Sequence, residues 1–180
     1  RAYYALRLCV LGAESTGTTT LAKSLAEYYR TTWVPEYGRE YWEKKMHQPD
    51  AQTWTTAEFV HIAQEQGRRE DQAARQANRV LVCDTDPFAT TLWHERYLGH
   101  LAPEIEAVAH PRTYAHYFVT GDEIPFVQDG TRDGEHIRHA MHRRFIERLT
   151  EVGRPFTIVS GSPAERLQTA TTIINQLLHA

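Results

Sequence analysis

The sequence predicts a three-layer α/β sandwich, a five-stranded parallel sheet with helices on both faces. Three observations carry that prediction. Short apolar, β-branched runs recur at 5–11, 31–34, 80–83, 114–119 and 155–159. Each is followed by a longer stretch with helical spacing, the order that parallel strands need because every crossover must bring the chain back to the same end of the sheet. At 180 residues the chain can bury one sizeable core and is short for two.

The first run, Leu8-Cys9-Val10-Leu11, leads into Gly12-Ala13-Glu14-Ser15-Thr16-Gly17-Thr18-Thr19. This is the spacing of a phosphate-binding loop, G-x-x-x-x-G-K-[ST], with Thr18 where the lysine stands. In such loops the backbone N–H groups and the positive end of the next helix cradle phosphates, the lysine reaches the outer two, and the following hydroxyl holds Mg²⁺. The helix after it is marked by Leu21, Leu25 and Tyr28. The segment from Gly12 to Thr20 is therefore the candidate for nucleotide phosphates, without its movable cation.

In parallel sheets ligands sit beyond the carboxyl ends of the strands. The second run ends in Pro35-Glu36-Tyr37-Gly38-Arg39-Glu40, and Glu36 stands where a carboxylate can take a proton from an attacking hydroxyl. A surface ion pair with Arg39 is the plainer alternative. A polar helix follows over 57–79, with a thin apolar stripe through Phe59, Ile62 and Ala63 and most of its charges on a solvated face. The third run ends in Asp84-Thr85-Asp86. A strand-end carboxylate suits a hard cation, so Asp84 pairs with Thr19 as the metal-holding set. Asp86, ahead of Pro87, is a substrate contact or a helix N-cap.

Between 120 and 135 the glycines Gly121, Gly130 and Gly134 mark a loop, and 121–134 with Arg132 has the makings of a lid over a transferring phosphate. The helix beyond it carries Ile137, Met141, Phe145, Leu149 and Val152 on one side, and Gly153 ends it. A second loop, 47–53, contains Pro49.

Composition narrows the partners. A formal net charge of −3 argues against a nucleic-acid surface. No apolar stretch approaches the roughly 18 residues that cross a bilayer, and no signal sequence opens the chain, so no membrane partner and a cytoplasmic setting are expected. Cys9 and Cys83, each inside a strand run, read as buried thiols. His136, His139 and His142 turn around a helix and do not make a zinc set.

Taken together, the loop, Glu36-Tyr37-Gly38-Arg39-Glu40, Asp84-Thr85-Asp86 and Asp129-Gly130-Thr131-Arg132 resemble the ribosylnicotinamide kinase domain of NadR-type proteins, with a P-loop nucleoside-kinase-like fold. The resemblance runs from Leu6 to Leu178. It implies that ATP, with Mg²⁺, phosphorylates the 5′-hydroxyl of nicotinamide riboside. It also implies that Glu36 is the base, Asp84 the metal or hydroxyl ligand and Arg132 the lid arginine, with Tyr37, Arg39 and Asp86 beside the substrate. In that family the domain follows a nucleotidyltransferase domain, which fits a chain beginning at Arg1, and a homo-oligomer is left open.

The chain departs from the pattern in two ways. Thr18 leaves the loop without a lysine; Arg39 or Arg132 is the economical substitute, because a guanidinium can contact two phosphate oxygens. The resemblance further implies aromatics around a pyridine ring at two positions that here hold Pro35 and Gln72, with Trp33, Tyr37, Tyr41 and Trp42 as neighbours that could serve instead. A nucleotide-binding domain that has lost turnover is the competing expectation.

Overall fold

The computed structural model describes residues 5–127 and 134–180. The strands are β1 (Leu6–Leu11), β2 (Trp33–Val34), β3 (Val80–Asp84), β4 (His116–Thr120) and β5 (Phe156–Val159). The helices are α1 (Thr18–Tyr29), α2 (Tyr37–Lys45), α3 (Thr56–Ala74), α4 (Pro87–Leu98), α5 (Pro103–Ala109), α6 (Glu135–Glu151) and α7 (Pro163–Leu178). The strands form one sheet in the order β2-β3-β1-β4-β5, every pairing parallel.

Because side chains alternate across a strand, each central strand feeds both faces. Cys9, Leu11, Leu81, Cys83, Tyr117 and Val119 pack with Phe88 and Leu92 of α4 and with Met141, Phe145 and Leu149 of α6. Leu8, Val10, Val80, Val82 and Phe118 face the other way, onto Leu21 and Leu25 of α1 and Ala170 and Ile174 of α7. Both-sided burial explains why these strands read as continuous apolar runs. Both cysteines are free and buried.

A third, smaller core joins Tyr37, Phe59, Ile62, Ala63, Ala102 and Ile105. It fixes α2, α3 and α5 together at the β2 side of the sheet. Its helix α3 starts from a complete capping box between Thr55 and Glu58.

The structure adjusts several expected elements. The fourth strand starts at His116, not 114, where its pairing with β1 begins at Leu8; the Tyr114 hydroxyl donates to Glu70 at 2.5 Å. The polar helix ends at Ala74 instead of reaching 79. Arg79 has φ 64°, and Asn78 is tied to Thr31 Oγ1 and to the Tyr29 carbonyl, which turns the chain into β3. The inward stripe of α3 also continues past Ala63 through Gln66, Gly67 and Glu70, polar positions that a count of apolar residues misses. In α1 it is Tyr29 that packs inward while Tyr28 is 56% exposed, and Val152 after α6 is 42% exposed. Among the described residues no helix is long and apolar enough to cross a membrane.

Candidate functional site

The loop after β1 is built by its two glycines. A Cβ at Gly12 would lie 2.1 Å from Thr120 Oγ1 and 2.6 Å from Thr16 Oγ1, two hydroxyls that hydrogen-bond each other at 2.7 Å. Gly17, at φ 84°, occupies the N-cap of α1 in the left-handed region, and Ser15 has φ 63°. No side chain caps α1, so the N–H groups of its first turn stay available for an anion. Gly12→Ala is expected to destabilise the fold by about 1–3 kcal/mol, the usual cost of overpacking. Urea unfolding checks this, with Gly12→Ala/Thr120→Ala recovering part of the loss.

Two arginines hold the loop from behind. Arg166 of α7, 4% exposed, donates to the carbonyls of Thr16 and Gly121 and to Glu123 at 2.7 Å. Arg138 of α6 donates to the Ile124 carbonyl at 2.7 Å and the Ser15 carbonyl at 3.5 Å, with Phe126 against its guanidinium. Both cations satisfy carbonyl oxygens of the loop region, which fixes the peptide orientations that present N–H groups to the opposite side.

At the sheet end, Asp84 is buried and accepts from Thr19 Oγ1 at 2.7 Å. Thr18, the residue in the lysine's place, sits near enough to pull the Asp84 carboxyl down. Burial pushes the Asp84 carboxyl up, against the pull of these hydroxyls and of Arg39 and Lys23. Glu36 is the N-cap residue of α2, yet its side chain makes no capping bond. Burial, and then the Asp84 charge, push it up to about 8. Two interacting carboxylates beside a phosphate loop share protons as a pair.

Gly12, Ala13, Glu14, Ser15, Thr18, Glu36 and Arg39 line one pocket of about 150 Å³. Its other wall is apolar and aromatic: Trp42, Trp54, Phe59, Ile62, Trp93 and Tyr97. Trp54 stands 5.1 Å from Phe59 and 5.7 Å from Tyr97, and Phe59 and Tyr97 are stacked at 6.2 Å between ring centroids. Such a surface accepts a flat ring.

Not every expected residue reaches this pocket. Asp86 is fully buried and both its oxygens are engaged, Oδ1 by the Ala89 N–H at 2.9 Å and Oδ2 by the Tyr117 hydroxyl at 2.5 Å. It caps α4, and the expected substrate contact gives way to that role. The Tyr37 ring also turns elsewhere, its hydroxyl on His61 at 2.9 Å and Arg69 over its face, outside the pocket lining. Thr16 lies behind the loop, and Thr20 is an exposed position of α1. Of the aromatics nominated from the sequence, Trp42 alone lines the pocket; Trp33 lies under Lys23. Pro35 is exposed and Gln72 accepts from Arg68. Absent from that set are Trp54, which precedes α3, and Trp93 and Tyr97, one turn apart on α4; the i, i+4 spacing of the last two is a sequence signal, but only the fold brings them to Trp54. Arg132 and the rest of 128–133 lie outside the described residues.

The remaining lysines of α2 are occupied. Lys44 pairs with Glu40 at 2.7 Å, and Lys45 is buried against Glu58 at 2.8 Å and the Trp54 ring.

A family model described as an AAA domain matches residues 7–166. The chain belongs to that AAA-domain family. Among curated relatives, the trifunctional NAD biosynthesis/regulator protein NadR of Salmonella typhimurium is 28% identical over 151 residues, 83% of this chain and 37% of that protein. NadR of Escherichia coli is 28% identical over 130 residues, 72% of this chain and 32% of that protein. The chain thus spans about a third of the length of these relatives. Among solved structures, NadR in complex with NR superposes with a TM-score of 0.78 at 20% identity, over 99% of this chain and 53% of that one. Deoxyadenosine kinase from M. mycoides gives a TM-score of 0.69 at 10% identity, over 95% of this chain and all of that one. The AAA-domain chain therefore shares the α/β fold of a nucleoside kinase.

Proposed function

We propose that this chain transfers the γ-phosphoryl group of ATP to the 5′-hydroxyl of nicotinamide riboside. One observation carries the reading: a single pocket joins the glycine loop and the Glu36 carboxylate to an aromatic wall, with the buried Asp84 carboxylate behind it near enough to raise Glu36. Its support from relatives is the likeness to NadR, one structure of which holds NR and another NAD and AMP-PNP. In this reading the loop amides bind the nucleotide phosphates, the aromatic wall holds the pyridine ring, and Glu36 takes the proton of the attacking hydroxyl. Arg132 and the lid at 121–134 exclude water as the pocket closes. Fusion to a nucleotidyltransferase domain and assembly into a homo-oligomer belong to the same proposal.

Thr19 and Asp84 fit Mg²⁺, since a hydroxyl and a buried carboxylate 2.7 Å apart offer the oxygen donors a hard cation takes. When bound there, the ion supplies charge neutralisation for the phosphates. Incubation of the chain with Mg·ATP and a panel of ribosides, read by mass spectrometry, tests the proposal. Nicotinamide mononucleotide is the expected product. ATP turnover with no phosphorylated riboside overturns it.

The raised Glu36 gives a further expectation. A carboxyl held at about 8 when folded and near 4.5 when unfolded binds its proton more tightly in the folded state. Stability then falls as pH rises from about 4.5 to about 8, and holds level beyond. Glu36→Gln should therefore raise the melting temperature more at pH 8 than at pH 5, while activity is lost. Thermal unfolding of parent and variant at both pH values measures it; an equal effect at both contradicts the assignment.

A further inference from the structure

Gln66 lies on the inward face of α3, one turn beyond Ile62 and two beyond Phe59, all three of which line the pocket. It is 1% exposed. Its amide orientation is fixed, because Oε1 accepts from the backbone N–H of Tyr37 at 2.9 Å, and a backbone N–H can only donate. The other end of the amide, Nε2, must then be the donor. Nε2 is buried and has no hydrogen-bond partner among the described residues. A buried amide donor left without an acceptor costs free energy, so an acceptor on a molecule entering the pocket would complete it.

We infer that Gln66 is a specificity residue of this pocket, donating from Nε2 to a carbonyl oxygen carried on the flat ring of the acceptor substrate. The inference rests on the reading above and sharpens it. The aromatic wall takes any planar ring of the right size, whereas a fixed donor selects rings bearing an acceptor at one edge. The Tyr37 N–H holds the donor in place, which ties ring recognition to the first turn of α2, immediately after the Glu36 carboxylate.

The test uses three ribosides: unsubstituted pyridine, 3-acetylpyridine, which offers an acceptor only, and the 3-carboxamide, which offers a donor as well. The parent should favour the acetyl and carboxamide ribosides over the unsubstituted one by about 10- to 100-fold in kcat/KM, the usual effect of leaving a buried group unpaired. Gln66→Glu keeps an acceptor for the Tyr37 N–H, so the fold is retained, but turns Nε2 into a second acceptor. It should lose the preference for the acetyl riboside and keep much of that for the carboxamide, which can rotate to donate. Gln66→Met should lose both preferences. The readout is the ratio of each substituted riboside to the unsubstituted one within the same variant, so a general loss of rate cancels. If Gln66→Glu keeps the parental ratio for the acetyl riboside, the inference is overturned while the proposed function stands. If the parent phosphorylates none of the three, the proposed function falls and the inference with it.

Discussion

Asp84→Asn is expected to lower phosphoryl transfer by about 10²- to 10³-fold, the range seen when one preorganised charge at a reacting centre is removed. The substitution is close to isosteric, and Asn can still accept from Thr19 Oγ1, so little packing changes. Because burial holds the Asp84 carboxyl above its ordinary range, a neutral amide should leave stability equal or higher at neutral pH. Loss of activity with retained stability separates a functional carboxylate from a structural one. The variant should also respond less to Mg²⁺ concentration, and its pH–rate profile should move. Asp84 raises Glu36, so removing its charge shifts the acidic limb of the profile to lower pH. Turnover, melting temperature and pH profile of the purified variant check all three, and near-parental turnover contradicts the role.

The parts of this molecule that were legible in the sequence are those written in consecutive residues. Five apolar runs gave the parallel sheet to within a few residues, since burial on both faces leaves no room for polar positions. The glycine spacing marks the tight loop after β1, and the strand-end Asp84 accepts from Thr19 just beyond it. What stayed hidden depends on contacts between distant segments. Arg166 reaches the Thr16 carbonyl from 150 residues away, and the aromatic wall draws Trp54, Phe59, Trp93 and Tyr97 from different stretches of chain. Gln66 and Glu70 belong to the helix whose charges the sequence places mostly on a solvated face, yet both are buried; polar type alone does not say whether a partner is present. Asp86 shows the reverse case. Its N-cap signature ahead of Pro87 was in the sequence, and the buried tyrosine that holds its second oxygen was not.

The missing loop lysine sets the second large expectation: Arg39→Ala should reduce kcat/KM by about 10²-fold, the size of a main phosphate clamp. Arg39 lines the pocket beside Glu36 and lowers the carboxyls of both Glu36 and Asp84 through its charge. Its pair with Glu43 is 3.7 Å long, between half-exposed groups. The lysines offer less: Lys44 and Lys45 are held by carboxylates, and Lys23 rests on Trp33. If Arg39 supplies the cation, Thr18→Lys in the parent should change the rate by less than about tenfold, because a second cation adds little where one already neutralises the charge. The same substitution in Arg39→Ala should restore much of the lost rate. Arg132→Ala, run in parallel, tests the other arginine singled out by the sequence. A site that has simply lost turnover behaves differently. Its parent is nearly inactive, Thr18→Lys raises the rate by orders of magnitude, and Arg39→Ala has no activity to remove. Steady-state kinetics of the parent, Thr18→Lys, Arg39→Ala, their double variant and Arg132→Ala, with Mg·ATP and nicotinamide riboside, distinguish the two. A fully active parent indifferent to both arginine deletions would contradict the substitution and return the search to Lys23.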